Sequence, residues 1–320
     1  MIGIRSGFVY LLGFTAFVSH LFSCQNILSS TLGFAADDTT ASLDTTVLPD
    51  PEPQAKQLLL QTWDSLQRNL LVFDIDSLNS VDIKTQKRRV RDSLRKEFDK
   101  HPKHVFLTFD DGPLVGSAAI DSIARARKIK VSTFLVGRHV QMGSDRKRDL
   151  ERYQSNPYVA CYNHSYTHGL NKFNAFYNNP ASAYADFEKN EEDLVLQHKI
   201  ARLPGRNVWI YDDVRRIDLQ SGSGTADLLY SHGYKIYGWD VEWRIQSAKG
   251  IPIQPLEQIR TRINAFMNNK SSMTPNNVVL LMHDDMFQTR AGKQLLIQLL
   301  DSLQADGYKF EFMEDYPIKY

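Results

Sequence analysis

Cysteine is close to absent from this sequence: the 320 residues hold two, Cys24 and Cys161. If Cys24 is cleaved away or modified, no intramolecular disulfide can form, and the fold must hold by burial and by any bound metal. Cys161 then reads as a small buried hydrophobe, with metal ligation the alternative because His164 is near. An excess of either charge is also missing. Thirty-eight basic against thirty-seven acidic side chains give a formal net charge of +1, which excludes a global electrostatic grip on nucleic acid. Charged partners must be met locally. No repeat of fixed period occurs. The apolar stretch near the N-terminus, residues 8–18, is too short for a membrane span, which needs about twenty residues.

What is present is ordinary globular material, 42% hydrophobic and 23% charged, enough for a sizeable core. With Arg5 before it, the 8–18 stretch fits the apolar region of a secretory signal. It runs into Leu21, Phe22, Ser23 and Cys24, which resembles the lipobox of bacterial lipoproteins, whose cysteine becomes the lipid-bearing N-terminus. The chain is therefore expected to be exported to a bacterial cell envelope and held at the membrane by a lipid on Cys24. Residues 1–24 are the signal, and 25–54, rich in Ser, Thr, Asp and Pro, are a flexible linker. A linker of this length reaches roughly 30 Å as a random coil. Residues 55–103 read as a helical extension. Leu58, Leu59, Leu60, Trp63, Leu66 and Leu70 fall near helical spacing, and 82–100 follow as a strongly basic helix. Its lysines and arginines are a solvated face or a contact for an anionic polymer or lipid.

From residue 104 to 320 the texture changes to a catalytic domain. Short apolar runs alternate with helical patterns: strand 105–109, helix 117–128, strand 131–136, strand-like 158–162, strand 278–282, helix 294–305, strand 308–313. Strand, helix, strand implies a parallel sheet, either open and doubly wound or closed as a barrel. Polar clusters follow the strands, where such folds gather their reactive groups. Asp110 and Asp111, adjacent at a Gly112-Pro113 turn, repel each other unless a cation lies beside them. His164 and His168, four apart after a strand, can reach one ion. Two histidines and one carboxylate make a three-ligand site with open positions, the pattern of a catalytic zinc.

Thr108-Phe109-Asp110-Asp111-Gly112-Pro113 and His164-Ser165-Tyr166-Thr167-His168 resemble the first two motifs of the polysaccharide deacetylase family, carbohydrate esterase family four, which shares the NodB homology domain. Arg202-Leu203-Pro204, Trp239-Asp240-Val241-Glu242-Trp243 and Leu281-Met282-His283 follow in the order of its later motifs, and Thr133-Phe134-Leu135-Val136-Gly137 is similar to its second strand. The resemblance covers residues 105–313 and implies an α/β fold, a distorted (β/α) barrel of the NodB type, here with an N-terminal helical extension.

It also implies roles. Asp110 resembles the general base, Asp111 with His164 and His168 the metal triad, His283 the general acid, Arg202 the residue orienting the base, and Leu281 the lining of the acetyl methyl pocket. The metal is a divalent ion, with zinc favoured and cobalt or nickel accepted by the same ligands. Two departures stand out. Gly205 occupies the place of an aromatic residue, leaving an N–H but losing a wall that Trp209 is expected to replace. In the fourth motif Asp240 and Glu242 are both candidates to support His283, and Trp243 or Trp239 to stack on a sugar. The expected reaction is hydrolysis of N-acetyl groups on an amino-sugar polysaccharide by water activated at the metal. The glycan is peptidoglycan, poly-N-acetylglucosamine or chitin-like. Two alternatives remain: a carbohydrate-binding lipoprotein on the same scaffold with impaired turnover, and a metal-dependent hydrolase of another amide or ester.

Overall fold

The computed structural model describes residues 83–218, 220–246 and 250–319. The expected signal, the linker, the leucine-rich part of the extension and Cys24 lie outside the described residues. No helix among the described residues is long and apolar enough to cross a membrane. The basic part of the extension is a helix, α1 (Ile83–Phe98). Asn276 fastens its end by donating from Nδ2 to the Phe98 carbonyl at 2.6 Å, and Arg95 donates to Asn269 Oδ1 at 3.1 Å.

The central strands are β1 (His104–Gly112), β2 (Val131–Leu135), β3 (Val159–Asn163), β4 (Ile200–Ala201), β7 (Lys235–Ile236), β8 (Val241–Glu242) and β11 (Asn277–His283). All run parallel in the spatial order β7-β4-β3-β2-β1-β11-β8. The hairpin β5 (Trp209–Tyr211) and β6 (Val214–Arg216) extends the β7 edge antiparallel, β12 (Lys309–Phe310) pairs with β1, and β9 (Ile245–Gln246) and β10 (Ile251–Pro252) form a separate antiparallel pair. The ladder thus ends in β6 at one side and β8 at the other, so the expected distorted barrel is observed. Helices α2 (Ser117–Arg127), α3 (Ser144–Gln154), α5 (Pro180–Leu194), α6 (Ser223–Ser231), α7 (Leu256–Asn269) and α8 (Arg290–Ala305) connect the strands, with a short α4 (Phe173–Tyr177) after the histidine loop.

Strand alternation sorts the side chains into two cores. On β1 and β11, Val105, Leu107, Phe109, Val278, Leu280 and Met282 join Leu296, Leu299 and Ile263 between sheet and helices. Each such fully buried side chain contributes about 1.5–3 kcal/mol. The opposite face carries Phe106 and Val279, which with Phe134, Tyr162, Trp209, Tyr211, Tyr237 and Tyr316 fill the inside of the curled sheet. Continuing along that inner face toward the strand ends brings Thr108 and Asp110 on β1, and Leu281 and His283 on β11. Their register is fixed: Thr108 pairs with Leu281, and Asp110 with His283.

Candidate metal centre and active site

Asp110 is buried at 3% exposure, which a carboxylate tolerates only when paired. Its partner is Arg202, fully buried just past β4, whose Nη1 donates to Asp110 Oδ1 at 2.8 Å. The same guanidinium donates to Thr108 Oγ1 at 2.8 Å, to the Gly238 carbonyl at 2.8 Å and to the Tyr237 carbonyl at 3.1 Å, and lies over the Phe134 ring. Burial pulls the arginine pKa down, and the Asp110 charge pushes it back up. Arg202 is therefore clamped on every side and fixes the position of the Asp110 carboxylate.

Asp111 turns the other way. Its backbone sits at φ 71°, uncommon for a residue with a side chain, and its Oδ1 is buried with no hydrogen-bond partner. Two imidazole nitrogens face that oxygen, His168 Nε2 at 3.2 Å and His164 Nε2 at 3.5 Å. Ligand atoms of the three residues all lie within 4.8 Å of one another. Each ring's other nitrogen is engaged: His164 Nδ1 contacts the Arg202 carbonyl at 2.8 Å, and His168 Nδ1 contacts Asn171 Oδ1 at 2.7 Å. Those bonds fix the tautomers so that both Nε2 lone pairs aim at Asp111. Burial, aided by His168, pushes the His164 pKa down to about 3, which keeps the ring neutral, the form that ligates. An orphaned buried carboxylate oxygen between two oriented imidazoles fits a divalent cation.

Asp110, Asp111, His164, His168, Gly205, Glu242, Leu281 and His283 line one pocket of about 320 Å³, together with Phe173 and Trp239. Nearly all of the expected residues thus converge, with Arg202 behind Asp110. Three expectations are corrected. Trp243 does not reach the pocket: alternation turns it outward, where it is fully buried against Phe287 and donates from Nε1 to the Gln254 carbonyl at 2.9 Å. Asp240 does not support His283. Its backbone N–H bonds the Val279 carbonyl, placing it level with a residue four before His283, about 13 Å down the strand at 3.3 Å per residue. Its carboxylate instead accepts the Met273 and Val279 amides at 2.7 and 2.9 Å. Trp209 does not replace the wall missing at Gly205, being packed inside the barrel with Nε1 donating to Asn207 Oδ1.

Phe173 supplies that wall. Gly205 has φ 66°, and a Cβ there would meet the Phe173 ring at 2.6 Å, so the aromatic comes from α4 rather than from the position after Pro204. The ring also meets His168 edge-on at 5.4 Å. Other contributors were not singled out in the sequence. His139 contacts the Asp111 carbonyl through Nδ1 at 2.7 Å, bracing the strained backbone of that residue. Asp285 is close enough that the Asp111 charge raises its pKa after burial has done so, while His283 lowers it. His283 Nδ1 is buried with no hydrogen-bond partner among the described residues. Cys161 is half-buried with its thiol pushed up to about 11 by burial, and it stands outside the triad.

Residues 98–201 match the family model described as polysaccharide deacetylase. A curated peptidoglycan-N-acetylglucosamine deacetylase from Bacillus cereus is 25% identical over 217 residues, covering 66% of this chain and 70% of the relative. Among solved structures, a Streptococcus mutans CE4 esterase shares the fold at 19% identity and a TM-score of 0.51, covering 69% of this chain and 90% of that one. A polysaccharide deacetylase from Bacillus cereus aligns at 21% identity and a TM-score of 0.49, covering 68% and 97%. The motifs stand in order on a curled parallel sheet, and the segment 98–201 that carries the first two of them matches the polysaccharide deacetylase family.

Proposed function

We propose that this protein is a metal-dependent N-deacetylase of an amino-sugar polysaccharide, with residues 104–320 as its catalytic domain. The observation that carries the reading is the orphaned Asp111 Oδ1 facing His164 and His168 beside a separately held Asp110. When bound by Asp111, His164 and His168, a divalent ion, zinc by preference, polarises the amide carbonyl and makes water acidic enough to react near neutral pH.

Asp110 is the base. Arg202 holds its Oδ1, leaving Oδ2 to accept the proton of the attacking water. Leu281 and the Phe173 ring receive the acetyl methyl and exclude bulk water. The N–H of Gly205, on the same wall, is the backbone donor for the carbonyl oxygen as it gains charge. His283, one strand over and level with Asp110, gives a proton to the departing amine. The C–N bond breaks, and acetate and a free amino sugar leave. Trp239 offers a ring face to the sugar, and Glu242, in the same pocket and level with Leu281, is nearer in register to His283 than Asp240 is.

The B. cereus relative acts on peptidoglycan N-acetylglucosamine, and peptidoglycan is the substrate proposed here. The envelope location goes with it: signal 1–24, linker 25–54, extension 55–103 and a lipid on Cys24. The second reading, a glycan binder with impaired turnover, is favoured by one observation, the partnerless His283 Nδ1.

Acetate release from peptidoglycan and chitooligosaccharides, with bound metal measured alongside, tests the proposal. His164→Ala is expected to lose the metal. Asp110→Asn is expected to keep it and lose turnover by roughly two decades or more. Wild type that binds a glycan yet releases no acetate from any overturns the enzyme reading in favour of the binder.

A further inference from the structure

A second cavity, of about 590 Å³, lies beside the catalytic pocket and has no part in the proton transfers above. His168 lines both, so the two share a wall at the metal triad. The size is within the range of small-ligand sites. Its other lining residues include Arg138, Met142, Tyr166, Leu170 and Asn171.

Three features set it apart from an ordinary surface dent. First, Arg138 is exposed and has neither ion pair nor side-chain hydrogen bond to another described residue, yet its backbone is held in place. Its N–H donates to the Tyr166 carbonyl at 3.0 Å, and the preceding Gly137 has no room for a Cβ, which would meet Tyr166 and Asn190 at 2.5 Å. The guanidinium therefore projects from a backbone locked onto the loop that carries His168.

Second, Leu170 and Met142 are 58% and 67% exposed in the lining, an apolar pair with no protein cover. Third, His168, Gly169, Leu170 and Asn171 all have positive φ, between 51° and 59°. Each non-glycine residue in this left-handed turn costs about 1–2 kcal/mol. An exposed leucine gains nothing from burial in return, and strain of this kind collects at ligand sites. Asp186, packed on the same loop, accepts the Thr167 N–H.

We infer that this cavity is the subsite for the sugar next to the one deacetylated, and that Arg138 selects a carboxylate on that sugar. The inference rests on the deacetylase reading and narrows its substrate. Met142 and Leu170 meet the C–H face of the ring, while the guanidinium takes the carboxylate through paired N–H donors. A neutral chitin-like polymer offers Arg138 only hydroxyls. A peptidoglycan strand places beside each N-acetylglucosamine a sugar with a lactyl ether, whose carboxyl is free or extended by a peptide that is itself acidic.

The test uses the full chain loaded with zinc, as wild type, Arg138→Ala and Arg138→Lys. The probes are glycans of equal length: a peptide-free strand with free lactyl carboxylates, the same strand with those groups reduced to alcohols, a peptide-bearing strand, and a chitooligosaccharide. Calorimetric Kd and acetate release are read on each. Wild type is expected to bind the carboxylated strand about tenfold to a hundredfold tighter than the reduced one, the range for a charge-assisted contact. Arg138→Ala should collapse that ratio through KM rather than kcat, and Arg138→Lys should recover part of it. A preference confined to the peptide-bearing strand supports carboxylate selection with the peptide as its source. Equal binding of carboxylated and reduced strands by wild type overturns the inference, as does a ratio that survives Arg138→Ala. A retained ratio without acetate release supports the subsite and removes only the catalytic reading.

Discussion

Replacing Arg202 by methionine, alone and together with Asp110→Asn, measures how firmly the proposed base is held. Methionine keeps much of the length and none of the donors. It leaves the Asp110 carboxylate buried at 3% exposure without its cation, and strips the Tyr237 and Gly238 carbonyls of their partner. An uncompensated buried charge costs about 3–5 kcal/mol. A buried carbonyl left unsatisfied costs about 1–3 kcal/mol. With some relaxation and water entry, Arg202→Met should lose roughly 4–8 kcal/mol, a large part of the 5–15 kcal/mol typical of a domain. Asp110→Asn keeps an acceptor oxygen but leaves the buried Arg202 guanidinium without its counter-charge, for a loss of about 3–5 kcal/mol. In the double variant no buried charge is stranded, so its loss should fall short of the sum by roughly 2–4 kcal/mol. Urea unfolding followed by circular dichroism, in chelator so that metal does not bias the comparison, gives all four corners. Arg202→Lys, which retains the charge, serves as the milder variant should methionine prevent folding. Additive losses would refute the idea that Arg202 holds Asp110 electrostatically.

Other perturbations are equally specific. His139→Ala removes the hydrogen bond to the Asp111 carbonyl and is expected to weaken zinc binding about tenfold to a hundredfold by chelator competition, with unchanged affinity as the contrary result. Gly205→Ala forces a Cβ into the Phe173 ring at positive φ and should cost about 1–3 kcal/mol in thermal unfolding while raising KM; a neutral substitution would refute the wall assignment. Burial raises the Asp240 carboxyl to about 6 from 3.8, so folding takes up a proton between those values. Its contribution therefore falls as pH rises through that window, and wild type should lose about 2–3 kcal/mol relative to Asp240→Asn from pH 4 to pH 7. A pH-independent difference in urea unfolding contradicts this.

The reactive groups were readable in the sequence because each sits at the end of an apolar strand, where alternation and sheet order leave few places for it to go. Asp110, Asp111, His164, His168, Leu281 and His283 all reached one pocket for that reason. Failures came where depth or distance mattered more than pattern. Asp240 immediately precedes β8 and Glu242 ends it, and only the pairing register reveals that Asp240 is too deep for His283. Phe173 lies far in sequence from Gly205, and nothing local signals that its ring fills the space a side chain would take. Trp209 follows Gly205 closely in sequence, yet it packs in the interior of the curled sheet, a placement that no local pattern signals. Helices such as α3, whose buried residues are only Asp149 and Tyr153, carry too faint an apolar stripe to be read in advance.

Asp110 and His283 occupy the same rung of adjoining strands. The gap between the backbones that carry the proposed proton acceptor and the proposed donor is consequently set by interstrand spacing, which hydrogen bonding fixes at about 4.7–4.9 Å in any sheet. Loops at the mouth can lengthen, shorten or change composition without altering that gap. Variation in which polymer is accepted is thereby separated from the geometry of bond cleavage, and redesign of specificity can begin at the rim with the reacting pair left untouched.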